Sequence, residues 1–137
     1  MNSKQLSQGQ NTRVNLLLLS LVLLNVTTTW LHYIDNALSL DLYTGFSWFT
    51  PVNVISTVAI MTPLGLLGYW LYKKKHQKAA HLLLGVYSLT SLSSLGHYLL
   101  PDAMLMPLRM HVSIWLDGIA GLLLISFLSW SVLQEKT

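Results

Sequence analysis

The chain has 137 residues, of which 53% are hydrophobic and 9% charged, with a formal net charge of +3 and a mean hydropathy of +0.52. A water-soluble domain carries about a quarter charged residues, so this composition excludes an ordinary soluble fold. Cysteine is absent, which excludes disulfides, thiolate metal sites and cysteine nucleophiles and leaves imidazole and oxygen as metal ligands.

Residues 1–12 are rich in Ser, Gln and Asn and read as a disordered tail ahead of a single domain over 13–134. Four stretches within it are apolar over the roughly 20 residues that a helix needs to cross a bilayer: 14–34, 52–72, 79–100 and 108–133. The first is too long for the apolar core of a signal peptide and no small-x-small cleavage pattern follows it, so it reads as a retained helix. Its polar residues Asn25, Thr29, His32 and Asn36 recur at helical spacing and form one stripe, which in a membrane faces other helices. Asp35 lies one residue off that stripe. Trp30 and Tyr33 suit an interfacial belt.

The segment 37–51 is too apolar for a solvated loop. It reads as a re-entrant or interfacial cap that turns at Gly45, with Pro51 opening the second helix. Pro63 interrupts the second span, and the short Lys73–Lys78 link makes spans two and three an antiparallel hairpin. The third span is the most polar, carrying Thr90, Ser91, Ser93, Ser94, Gly96 and His97. Pro101 and Pro107 bracket a short loop before Arg109 and His111 open the fourth span. Asp117 follows about nine residues in, on the order of 13 Å along the axis, with Gly118 and Gly121 permitting close helix contact. Asn25, Thr90 and Ser94 lie at depths that suit hydrogen bonds to it.

Lys4, Arg13, Lys73, Lys74, Lys75, Lys78 and Lys136 all fall on one side of a four-span chain, whereas Asp35, Asp41, Asp102 and Arg109 fall on the other. The positive-inside rule then places both termini in the cytoplasm of a multi-pass plasma (inner) membrane protein. The fold class expected is an all-α membrane protein, an antiparallel bundle of four transmembrane helices. The lysines answer to topology and anionic lipid, so the partners expected are the bilayer and a membrane protein or second copy, with no nucleic acid.

The same topology gathers His32, His97 and His111 at the outer face. With Asp35 they form a candidate metal centre of imidazole and carboxylate ligands, suited to zinc, copper, iron or manganese. Haem would need two facing histidines at one depth, which His97 with His32 or His111 offers only at the outer edge. His76 reads as a solvated loop residue. His81 is about 24 Å along its helix from His97 and cannot share its metal. Asp117 and Asp35 are the candidate acid–base groups, since a carboxylate inside a membrane must be protonated, paired or used.

The function expected is therefore a metal-binding or acid–base site near the outer face that acts on a lipid-like or apolar substrate. A non-catalytic subunit or assembly factor is a second reading. A small carrier of metal ions or protons along His111, Asp117 and Asn25 is a third.

Overall fold

The computed structural model describes residues 3–42, 48–100 and 103–134, with side chains from residue 12 onward, and within them there are four α-helices and no strand. Helix α1 spans Ser3–Leu38, α2 Pro51–Lys73, α3 Gln77–Leu92 and α4 Leu108–Gln134. Three of them, α1 over Thr12–Leu38, α2 and α4, are long and apolar enough to cross a membrane. Gly45, Pro101, Asp102 and Lys136 lie outside the described residues.

Each helix packs antiparallel against the next, and α1 closes the ring against α4. The direction follows from the contacts. Along α1 and α4, Thr29 meets Asp117 and Ser39 meets Arg109, so rising numbers on one helix meet falling numbers on the other. On α2 and α3, Gly68 lies against Leu84 and Gly65 against Tyr87 in the same reversed order.

Helix α1 begins well before the first span, taking in residues whose polar composition suggests a tail without structure. Once the apolar part is helical, adding turns to it costs no new nucleation, and Lys and Gln are good helix formers. Helix α2 starts where Thr50 caps it, its hydroxyl accepting from the Asn53 backbone N–H at 3.2 Å, with Pro51 in the first turn. It ends at Lys73, and Lys75, just beyond the Lys74 cap, has a φ of 65° in the left-handed region. There the His76 N–H reaches back to the Leu71 carbonyl at 3.0 Å.

The third span departs from expectation. Helix α3 has 16 residues, and the chain continues as a 3-10 helix over Ser93–Leu99. At 1.5 Å per residue α3 covers about 24 Å, short of a hydrocarbon core of about 30 Å. The side chains account for the change. Ser93 donates to the Thr90 carbonyl at 2.6 Å, and Ser94 donates across to the Ile114 carbonyl at 3.1 Å. The His97 ring N–H donates to the Ser94 carbonyl at 2.8 Å. Such bonds compete with the α-helical ladder, and Gly96 offers it little support.

Burial in this bundle is inverted relative to a soluble protein. Leu16, Ile60, Leu82 and Leu122 are all more than half exposed, while Asn25, Thr29, Ser91 and Asp117 are at most 1% exposed. An apolar outside with polar groups inside suits a hydrocarbon solvent. Two apolar clusters flank the polar layer. One, toward the chain termini, contains Leu18, Val22, Leu84, Tyr87 and Leu124; the other, at the far end, contains Ala103, Met106, Met110 and Ile114.

Candidate functional site

The stripe expected on α1 is buried along its whole length: Asn25, Thr29, His32 and Asn36 all face inward. Its upper half helps to form a pocket at the end of the bundle away from the termini, with a volume of about 400 Å³. His32, Tyr33 and Asn36 come from α1, Val54 and Thr57 from α2, and Thr90, Ser93, Ser94 and His97 from α3 and its 3-10 extension. Leu40 and Phe49, from the two described ends of the 37–51 segment, complete the wall.

His32 and His97 meet edge to face, with ring centroids 4.9 Å apart and planes at 86°. Their protons are set by their neighbours. His97 Nδ1 donates to the Ser94 carbonyl, so its proton sits on Nδ1 and Nε2 is the basic nitrogen. His32 Nε2 accepts from the Asn36 amide at 3.1 Å, which puts the His32 proton on Nδ1. That Nδ1 is buried without a hydrogen-bond partner. The tautomers thus leave a buried N–H at His32 Nδ1 and place the unprotonated nitrogen of His97 at Nε2.

The expected four-ligand metal centre is not assembled. His111 is engaged elsewhere: its Nδ1 receives the Tyr98 hydroxyl at 3.0 Å, and the two rings stack at 5.6 Å. Asp35 faces Arg109, with its carboxylate oxygen 3.6 Å from the guanidinium, and Arg109 also donates to Ser39 at 2.8 Å. Among the described residues no group of three His, Asp or Glu side chains is placed to hold a metal ion. The physical reason is radial. Topology brings the three histidines to one end of the bundle, but the neighbours available to each ring decide where it points.

Asp117 sits in the polar layer next to the pocket, without lining it. Thr29 contacts its Oδ1 at 2.7 Å and Thr28 lies at 3.4 Å. From Thr29 the contacts continue to Ser91 at 2.9 Å, and Ser91 donates to the Asn25 amide oxygen at 2.5 Å. Three helices therefore meet through one hydrogen-bonded chain. Thr90 and Ser94, the partners expected for Asp117, are occupied with the carbonyls of Tyr87 and Ile114. Thr28, Thr29 and Ser91 take their place. Depth along each helix was readable from the sequence, but a shift of one residue turns a side chain by about 100° round the axis.

His81 is also engaged, its Nε2 lying 3.3 Å from Ser131, which also meets the Tyr72 hydroxyl at 3.1 Å. Trp30 points its indole N–H at Thr62 of α2 at 2.9 Å, so it ties two helices together in place of serving as a free interfacial ring. Comparisons with known protein families, curated proteins and solved structures return no match.

Proposed function

We propose that the chain is a four-span membrane protein with both termini cytoplasmic, and that its outer-facing pocket is an acid–base site for a neutral amphiphile. The observation that carries this reading is the His32–His97 pair lining a pocket whose walls mix hydroxyls with apolar side chains. His97 Nε2 serves as the base. His32 Nδ1–H donates to a carbonyl or hydroxyl oxygen of the ligand, and such a donor stabilises charge that develops there.

The head group is uncharged on this reading. Among the described residues neither lysine nor arginine lines the pocket, so an anionic phosphate or carboxylate would be desolvated without compensation. Thr57, Thr90 and Ser93 give hydroxyls to an ester, alcohol or quinone-like head, and Val54, Leu40, Phe49 and Leu100 receive the start of its tail. A volume of about 400 Å³ holds a head group and a few carbons, with the remaining tail lying among the lipids.

The test is equilibrium binding of a radiolabelled monoacylglycerol, whose head is a neutral ester, to purified protein in lipid nanodiscs. His32→Ala and His97→Ala should each weaken binding at least about tenfold, the loss of one hydrogen bond at about 1.4 kcal/mol. His111→Ala, remote from the pocket wall, should bind as the parent does. Equal binding by the His32→Ala/His97→Ala double variant, or tighter binding of lysophosphatidic acid than of the monoacylglycerol, refutes the reading.

A further inference from the structure

The chain of contacts from Asp117 to Asn25 contains more links than hydroxyl protons. Asp117 Oδ1 to Thr29, Thr29 to Ser91, and Ser91 to Asn25 are three contacts at 2.7, 2.9 and 2.5 Å. Thr29 and Ser91 bring one hydroxyl proton each, and the Asn25 oxygen brings none. Thr28 does not supply the third. Its hydroxyl lies 3.1 Å from both the Leu24 and the Asn25 carbonyls, closer than the 3.4 Å to Asp117. If the carboxyl is ionised, Thr29 donates to it, Ser91 donates to Asn25, and two hydroxyl oxygens face each other at 2.9 Å with nothing between them.

We infer that Asp117 is a proton-binding site in the core of the bundle: its carboxyl carries the third proton of the Asp117–Thr29–Ser91–Asn25 chain. Asp117 then donates to Thr29, Thr29 to Ser91, and Ser91 to the Asn25 oxygen, and every link is filled once. Two further observations agree. Asp117 is fully buried and no described basic side chain forms an ion pair with it, the ion pair among the described residues being Arg109 with Asp35. A buried charge in that setting carries a large desolvation cost. In addition, Asp117 Oδ2 is buried without a hydrogen-bond partner, which a neutral carboxyl tolerates far better than a carboxylate does.

The chain has one other saturated arrangement. If the Asn25 amide turns over, its N–H₂ donates to Ser91, Ser91 to Thr29, and Thr29 to an ionised Asp117. The structure has the first arrangement's amide orientation, with the Ser91 hydroxyl donating to the Asn25 oxygen. Loss of the proton therefore reverses three hydrogen bonds and one amide, joining α1, α3 and α4 in a second polarity. The titratable side chains facing Asp117 are Tyr33 from α1 and Tyr87 from α3. Neither supplies a positive charge. The site is separate from the ligand pocket, whose wall includes none of Asp117, Thr29, Ser91 and Asn25.

The experiment is infrared difference spectroscopy of the purified full chain in potassium-buffered lipid at neutral pH, parent minus Asp117→Asn. The expected result is a protonated-carboxyl C=O band present in the parent, lost in Asp117→Asn and kept in Asp35→Asn. Thr29→Val removes the acceptor and should move the same band to higher frequency, which keeps the test open if Asp117→Asn fails to fold. A difference spectrum with carboxylate bands alone overturns the inference. So does a Thr29→Val spectrum identical to the parent's, and so does a carboxylate signal that appears when sodium replaces potassium, which would make the site a metal-cation site.

Discussion

Gly121 lies directly against the backbone of α3, and Gly121→Ala measures that approach. A Cβ at Gly121 would lie 2.7 Å from the Ser88 carbonyl oxygen, 3.0 Å from the Leu92 nitrogen and 3.0 Å from Ser91 Cβ. Two of the three are backbone atoms of α3, which cannot rotate away as a side chain does. To reach the ordinary contact distance of 3.4 Å, α3 and α4 would have to separate locally by roughly 0.7 Å. Overpacking of this kind costs about 1–3 kcal/mol, and three simultaneous short contacts place Gly121 at the upper end. Alanine's better helix propensity returns about 1 kcal/mol, leaving a net loss of about 2 kcal/mol.

Gly85 on α3 is the internal comparison, since a Cβ there meets nothing within 4 Å. Gly85→Ala should keep the propensity gain of about 1 kcal/mol without the clash. The two variants should therefore differ by about 3 kcal/mol, a factor of more than 100 in the unfolding equilibrium. Reversible unfolding in mixed micelles, followed by helical circular dichroism, reads the difference directly. If Gly121→Ala proves as stable as Gly85→Ala, the helices do not approach as closely as the Ser88 carbonyl contact requires, and the reasoning fails.

Two further variants test contacts on which the architecture depends. Trp30→Phe removes the indole N–H that bonds Thr62 and should cost about 1 kcal/mol in the same unfolding assay; no change would argue that α1 and α2 are not tied at that depth. Asp35→Asn removes a pair separated by 3.6 Å in which Arg109 is 57% exposed, so stability should change by less than about 1 kcal/mol, and a larger loss would contradict its surface placement.

The parts of the fold that the sequence revealed are those governed by one-dimensional quantities. Length and apolarity marked α1, α2 and α4, and the 3.6-residue period marked the inward face of α1, where Asn25, Thr29, His32 and Asn36 are all buried. The third span reads in the sequence as a single helix because hydropathy is blind to competition between hydroxyls and the backbone ladder over Ser93–Leu99. The candidate site divided for a related reason. His32 and His97 converge because both lie on faces fixed by their own elements. His111 turns instead to Tyr98, a partner thirteen residues away whose position depends on that 3-10 geometry. Asp35 faces Arg109, and among the described residues no carboxylate joins the remaining two imidazoles to form a group placed to hold a metal.

The two polar tiers of this bundle share a physical cause. Helix α1 places Thr29 and His32 three residues apart, about 4.5 Å along one face, so the Asp117 chain and the histidine pocket are stacked on the same stripe. Tyr33, next to His32 on α1, lines the pocket, and its ring meets His32 edge-on at 5.7 Å. A change in the polarity of the lower chain acts on α1, α3 and α4 together, and α1 and the 3-10 extension of α3 carry the two histidines. Apolar clusters that include Leu84 and Leu124 below and Met110 and Ile114 above bracket this polar layer. A proton at Asp117 and a ligand beside His32 would then be coupled through α1 and α3, and measuring monoacylglycerol binding in Thr29→Val tests that route: affinity unchanged from the parent means that the two tiers are stacked but independent.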